Sequence, residues 1–181
     1  MGHAAAGPTP GTAAAGTPPA DPDSVARAIC LRLLTQAPRT RFQLAAALDK
    51  RGVPREAADR VLTRFAEVGL VDDEAFAAAW VRSRHAGRGL ARRALAHELR
   101  QRGVDDQVVD EALAALDPED EWATARALVA RKLTSSTRGL DHTARTRRLA
   151  GLLERKGYPS GVALQVVREA LAGELDCADS E

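Results

Sequence analysis

Hydrophobic and polar positions follow one pattern that appears three times along the chain. The three stretches begin at Leu44, Leu95 and Leu149, and in each a glycine lies eight residues after the leading leucine. These glycines are Gly52, Gly103 and Gly157. A glycine in this place predicts a helix that ends in a left-handed turn, followed by a second amphipathic helix. The sequence therefore contains an internal repeat of roughly 50 residues.

A further helical stretch precedes each of these helix pairs. The three stretches are SVARAICLRLLTQA, DDEAFAAAWVRSRHAG and DEWATARALVARKL. Each begins near Asp or Ser, whose side chains accept hydrogen bonds from the first free backbone amides of a helix. Each repeat is therefore predicted to be a three-helix unit.

The predicted fold is all-α, a tandem array of three three-helix units that resemble helix-turn-helix motifs. The expected units are 23–70, 71–117 and 118–173, between a disordered Ala/Gly/Pro/Thr tail at 1–22 and an acidic tail at 174–181. Because units of this size have small cores, neighbours are expected to pack through few contacts into an elongated array. The angles between units, which the sequence does not fix, decide whether the array is curved.

Composition agrees with a helical protein that has no membrane span. Hydrophobic residues make up 45% of the chain, but aromatic residues only 3%. Because strands favour aromatic and β-branched residues, this composition favours helices. The chain has no run of about 18 apolar residues, and its N-terminus lacks the pattern of a secretory signal. Cys30 and Cys177 lie far apart, without the spacing of a zinc or redox site. These features predict a cytoplasmic protein.

Motifs that would indicate catalysis or metal binding are incomplete. His97 and Glu98 begin a zinc-helix pattern, but Gln101 stands where the second histidine belongs. The acidic run 72–74 is more typical of a helix N-terminus than of a cation loop. The segment 87–89 lacks the lysine and hydroxyl residue of a phosphate-binding loop. We therefore predict no enzymatic activity, no cofactor and no metal site.

Charge is segregated along the chain although its formal net value is only +1. Seven arginines between residues 82 and 102 are opposed by Glu98 alone, and a second basic stretch follows at 126–156. Between them, 105–121 holds eight acidic residues and no basic one. The residues that this pattern offers for binding an acidic partner are Arg82, Arg84, Arg88, Arg92, Arg93, Arg100, Arg131, Lys132, Arg145, Arg147 and Arg148.

Helical geometry puts part of this charge on one face of the helix through Leu95. With 100° between successive residues, Leu95 and Leu99 share one face, and Arg93, His97 and Arg100 share the opposite one. Such a basic face is either solvated surface or a docking face for phosphate or for an acidic protein groove.

The last helix of unit 2 is not expected to enter a DNA groove and recognise its bases. In a helix-turn-helix protein that helix enters the major groove. Here it has the sequence DDQVVDEALAAL, whose acidic residues would be repelled by phosphates. The basic residues lie instead on the first two helices of the unit.

The stretch GLVDDEAFAAAWV from Gly69 to Val81, followed by RGLARRALAHELRQRGV from Arg88 to Val104, resembles the RecX family. The resemblance extends from about residue 24 to residue 171 and includes the triplicated layout. The third unit departs most, because Tyr158 and Pro159 replace an apolar-polar step. The motif positions that the resemblance marks as structural are Asp72, Asp73, Phe76, Trp80, Gly89, Leu99 and Gly103.

The resemblance implies a monomeric regulator that binds the RecA nucleoprotein filament. It implies inhibition of the recombinase, ATPase and co-protease activities of RecA, and thereby modulation of recombination and the SOS response. The basic residues would contact RecA, single- or double-stranded DNA weakly and without sequence preference, or both. Two alternatives stay open, a helix-turn-helix transcriptional regulator and a helical scaffold without a nucleic-acid role.

Overall fold

The computed structural model describes residues 21–137 and 139–178, and every element in these residues is an α-helix. The helices are α1 (Pro22–Gln36), α2 (Arg41–Asp49), α3 (Arg55–Glu67), α4 (Asp73–Arg88), α5 (Arg92–Arg100), α6 (Asp106–Ala114), α7 (Pro118–Ser136), α8 (His142–Arg155) and α9 (Ser160–Ala178). They form three consecutive groups of three, which we call units 1, 2 and 3. The predicted all-α array of three-helix units is confirmed. Residues 1–20 of the expected N-terminal tail, residues 179–181 and the side chain of Cys177 lie outside the described part of the chain.

Each unit has a hydrophobic core of its own. The helix pairs that pack most closely in the described residues always belong to the same unit. Leu48, Leu99 and Leu153 are fully buried, one in each core, and they occupy equivalent positions of the repeat. The packing follows from the pattern of apolar residues on one face of each helix, which must be covered by the two other helices of the unit.

The first helix of each unit begins at an aspartate. The side chains of Asp21, Asp72 and Asp117 accept hydrogen bonds from backbone amides in the first turns of α1, α4 and α7. Helices α1 and α7 begin with Pro22 and Pro118, slightly before the predicted stretches, because proline is tolerated in the first turn of a helix.

A left-handed glycine ends the second helix of every unit, as predicted. The φ angles are +71° at Gly52, +71° at Gly103 and +92° at Gly157. The amide that follows each glycine donates to the carbonyl of the buried leucine five residues before it, which completes the cap. The residue that makes this bond is itself buried in all three units: Val53, Val104 and Tyr158.

The same glycine turn of unit 2 also contacts unit 1, and we call this contact the first joint. The Thr40 hydroxyl, at the start of α2, donates to the carbonyl oxygen of Arg102 over 2.6 Å. Gly103 lies against Phe42, and a Cβ atom at Gly103 would come within 2.2 Å of that ring. The absence of a side chain at residue 103 therefore permits the close approach of the two units.

The contact between units 2 and 3, the second joint, repeats this arrangement. The Ala91 amide, at the start of α5, donates to the carbonyl oxygen of Lys156 over 2.9 Å. Gly157 lies against Ala94, and a Cβ atom at Gly157 would come within 2.6 Å of the Ala94 backbone nitrogen. Ala91 also belongs to the core of unit 3, so this joint is continuous with a hydrophobic core.

The substitution Gly157→Ala should destabilise the protein more than Gly52→Ala. Both glycines have positive φ, but a Cβ atom at Gly52 meets nothing within 4 Å. Gly52→Ala should therefore cost only the left-handed strain, about 1 kcal/mol. Gly157→Ala adds displacement of the Ala94 backbone and should cost about 3 kcal/mol. Urea denaturation followed by circular dichroism measures both, and equal losses would contradict the close contact of Gly157 with the Ala94 backbone.

Candidate functional site

Helices α4 and α5 of unit 2 carry more than half of the basic residues predicted to bind a partner. Arg82, Arg84 and Arg88 lie on α4, Arg92, Arg93 and Arg100 on α5, Arg131 and Lys132 on α7, and Arg145, Arg147 and Arg148 on α8. The structure gives these residues different surroundings, and three groups can be distinguished.

The first group surrounds Trp80 and Glu98, and we call it the Trp80 cluster. The Trp80 indole Nε1 donates to Glu98 Oε2 over 2.8 Å. Arg84 and Arg88 place guanidinium nitrogens 3.8 and 3.9 Å from the oxygens of the same carboxylate. The Arg102 guanidinium lies 3.7 Å from the centre of the Trp80 ring. Two arginines thus share one carboxylate and a third lies on the ring, which leaves the cluster with a net positive charge.

The Trp80 ring is already in contact with several groups inside the chain. Phe76 stacks on it with ring centres 5.6 Å apart, and Arg84 lies 4.1 Å from the ring centre in addition to Arg102. Burial lowers the pKa of the Arg102 guanidinium, while the charge of Glu98 acts in the opposite direction. An arginine remains charged at neutral pH under either influence, so these contacts are cation–π interactions.

The second group consists of arginines that are engaged in contacts between helices. The Arg92 backbone amide and Nε donate to the two carboxylate oxygens of Glu121 over 2.9 and 3.1 Å, and its guanidinium also reaches the carbonyl of Leu116. Arg145 forms an ion pair with Glu174. Since Arg92 is on α5 and Glu121 on α7, the first of these pairs holds units 2 and 3 together.

Arg100 belongs to none of the three groups, because its side chain is exposed but forms an ion pair with Asp106. Its Nε lies 2.6 Å from Asp106 Oδ1, and this hydrogen bond raises the pKa of the guanidinium. Such an exposed pair can be exchanged for a partner's carboxylate or phosphate at little cost.

The third group is exposed. Within residues 21–137 and 139–178, no ion pair with another side chain is formed by Arg82, Arg93, Arg147 or Arg148. Arg131 and Lys132 are also exposed, but each has an interaction inside the chain. The group comprises Arg82, Arg93, Arg147, Arg148, Arg131 and Lys132. Its first four members have the charge most accessible to a partner.

The predicted motif residues hold helices and joints together. Asp72 caps α4, and the Asp73 carboxylate accepts a hydrogen bond from the Arg41 amide across the first joint over 2.9 Å. Gly89 has a φ of +61° and is contacted in the second joint by Tyr158, whose hydroxyl donates to its carbonyl over 3.4 Å. The remaining motif positions are Phe76 and Trp80 in the Trp80 cluster, Leu99 in the core of unit 2 and Gly103 in the first joint.

The sequence pattern did not show that Glu98 contacts both Trp80 and the arginines near it. It also did not place Arg102 among the candidate binding residues. A partial signal was present, since Trp80 and Arg84 are four residues apart on α4 and Glu98 is the one acid in its basic stretch. The approach of Arg102 to Trp80 depends on how α4 and α5 pack, which the sequence pattern does not give.

Within 21–137 and 139–178, His, Cys, Asp and Glu side chains form no group of three that could hold a metal ion. No helix of this part of the chain has the length and apolar character needed to cross a membrane. Cys30 is fully buried in unit 1, and burial raises the pKa of its thiol.

Tyr158 is buried in the second joint. Its side chain is 2% exposed, and its hydroxyl faces the Gly89 carbonyl. Burial raises the pKa of Tyr158 to about 12, and the negative charge of Glu121 acts in the same direction. Ionisation of this phenol is therefore disfavoured in the packed joint.

Family models of known proteins match all three units. They describe the first, second and third three-helix domains of RecX and match residues 26–65, 72–113 and 119–167. A regulatory protein RecX of Streptomyces coelicolor is 65% identical over 159 residues, which are 88% of this chain and 84% of the relative. One of Thermobifida fusca is 58% identical over 168 residues, which are 93% of this chain and 88% of the relative.

A solved structure has the same fold. The crystal structure of RecX from Lactobacillus salivarius matches with a TM-score of 0.74 at 17% identity, over 83% of this chain and 97% of that chain. The shared architecture is the tandem array of three-helix units.

Tyrosinate absorbance should show the raised pKa of Tyr158 directly, because it is the one tyrosine of the chain. A tyrosine in the unfolded chain ionises near pH 10. The stabilisation linked to Tyr158 should thus be complete below about pH 10 and be lost as pH rises through about 12. We expect absorbance to rise near pH 12 or together with unfolding, and near pH 10 in concentrated guanidinium chloride. A midpoint near pH 10 in the folded protein would contradict the burial of this side chain.

Proposed function

Because the chain belongs to the RecX family of regulatory proteins, we propose that it binds the RecA nucleoprotein filament and inhibits the recombinase, ATPase and co-protease activities of RecA. The observation that carries the proposal is the match of all three units to RecX domains. The protein then acts in the cytoplasm, as a monomer, by binding rather than by catalysis, and modulates recombination and the SOS response.

The exposed arginines support a partner that presents carboxylates or phosphates. Arg82 and Arg93 lie on unit 2, and Arg147 and Arg148 on unit 3, so the charge is spread over two units. A guanidinium binds carboxylate and phosphate oxygens in pairs, which suits both a RecA surface and the DNA that it holds. Contacts of this kind to phosphates do not distinguish one base from another, so DNA binding would be weak and without sequence preference.

The separate cores of the units support a multivalent mode of binding. Each unit can contact its own part of a filament, and once one unit is bound the others act at a high effective concentration. Several weak contacts would then block filament extension or promote disassembly without one large interface.

The charge of α6 disfavours the alternative of a transcriptional regulator. In unit 2 this helix holds the position of a recognition helix, and its residues Asp106, Asp110 and Glu111 are all exposed. A DNA groove would repel this acidic surface.

Removal of four exposed arginine charges should weaken inhibition of RecA. We expect the variant R82Q/R93Q/R147Q/R148Q to require about ten-fold more protein to halve the steady ATPase rate of cognate RecA on single-stranded DNA, which corresponds to about 1.4 kcal/mol. The matched control R27Q/R32Q/R55Q/R64Q removes four exposed arginines from unit 1 and should change this amount less than about two-fold.

Circular dichroism and thermal melting establish that both variants are folded. Wild-type protein should inhibit when present at less than one molecule per RecA. Unchanged ATPase rates with wild-type protein, on a RecA shown to be active, would refute the proposed function. Equal inhibition by the two variants would refute the assignment to these four arginines.

A further inference from the structure

An apolar groove of about 420 Å³ opens at the first joint, next to the Trp80 cluster. Its wall is formed by the end of α1, the turn between α3 and α4, and α4 itself. Leu34, Leu70, Phe76 and Trp80 contribute most of its large apolar side chains. Leu70 is 49% exposed, so its side chain is accessible to a partner that enters the groove.

Leu70 is held in the groove by fixed backbone geometry. Gly69 has a φ of +71°, and the amides of Leu70 and Val71 both donate to the carbonyl of Phe65, over 2.8 and 3.2 Å. Val71, the next residue, is buried in unit 1. The turn therefore buries one side chain and directs its neighbour outward, so the groove is formed before any partner binds.

The polar group of the groove that lacks a hydrogen-bond partner belongs to an arginine. Arg39 lines the groove, and the buried Arg39 Nε has no hydrogen-bond partner among the described residues. The acid in the wall, Asp72, is engaged as the cap of α4, where it accepts from the Ala75 amide over 2.8 Å. A ligand with a carboxylate beside an apolar group matches this combination.

A nucleobase fits this groove less well than an apolar amino-acid side chain. Stacking requires a free aromatic face, and the Trp80 ring is already in contact with Phe76, Arg84 and Arg102. The rest of the wall is largely aliphatic, as at Leu34 and Leu70. Aliphatic walls favour burial of a hydrocarbon side chain.

We propose that the groove at the first joint binds a peptide segment that has one large apolar side chain next to aspartate or glutamate. The inference rests on the proposed function, in that the segment belongs to the RecA protein of the filament and not to its DNA. The apolar side chain contacts Leu70 and Phe76, and the carboxylate pairs with Arg39. Binding there adds a hydrophobic contact to the charge contacts of units 2 and 3.

A matched pair of substitutions tests the groove. Leu70 and Val68 are both 49% exposed and lie in the same turn, but Leu70 alone of the two lines the groove. The affinity of fluorescently labelled protein for RecA filaments on single-stranded DNA should fall about ten-fold in Leu70→Gln and less than about two-fold in Val68→Gln. Arg39→Gln should also weaken binding and make it less sensitive to salt.

The outcomes separate this inference from the proposed function. If wild-type protein binds filaments and Leu70→Gln binds them as Val68→Gln does, the groove proposal is overturned and the proposed function stands. If wild-type protein binds no filament, the proposed function fails, and the groove is tested with short overlapping synthetic peptides of cognate RecA.

In that second test, binding that depends on Leu70 and is confined to peptides with an apolar side chain beside acidic residues supports the groove. Three results overturn it: no bound peptide, Leu70-dependent binding of an oligothymidine, or Leu70-dependent binding of a peptide with the sequence of residues 1–20 of this chain.

Discussion

The left-handed glycine at the end of the second helix of each unit is the constraint on which the array depends. Inside a unit it reverses the chain so that the third helix packs on the other two. Between units the same turn is the contact surface, since the carbonyl before the glycine accepts a hydrogen bond from the start of a helix in the preceding unit. A side chain at Gly103 or Gly157 would occupy the space of Phe42 or Ala94. One local conformation thus shapes the unit and also joins it to its neighbour.

The two joints share this geometry but differ in strength. The second adds the ion pair of Arg92 with Glu121, the buried Tyr158 and an alanine that belongs to the next core. The first relies on Thr40, the Asp73 carboxylate and the ring of Phe42, which is 56% exposed. Units 2 and 3 are therefore more firmly connected than units 1 and 2. The apolar groove lies at the less firmly connected joint, where a bound segment contacts both units at once.

Arginine has three separate tasks in this chain. Arg92 and Arg145 connect helices, Arg84 and Arg102 pack on an aromatic ring, and residues such as Arg93 remain exposed. The formal net charge of +1 conceals this division. The overall charge therefore gives little attraction to polyanions in general, and the positive potential of the surface is local to the exposed guanidinium groups.

The sequence by itself determined the helices, their grouping in threes, the left-handed glycines and the RecX resemblance, because helical periodicity and capping are properties of residues close together in the chain. It also located the basic stretches. Only the tertiary structure decided which basic residues are available, since the partner of Arg92 lies 29 residues away and that of Arg145 lies equally far. Likewise, Leu34 and Leu70 share a groove because of how unit 1 packs against α4. These features depend on packing between distant segments, which local patterns do not encode.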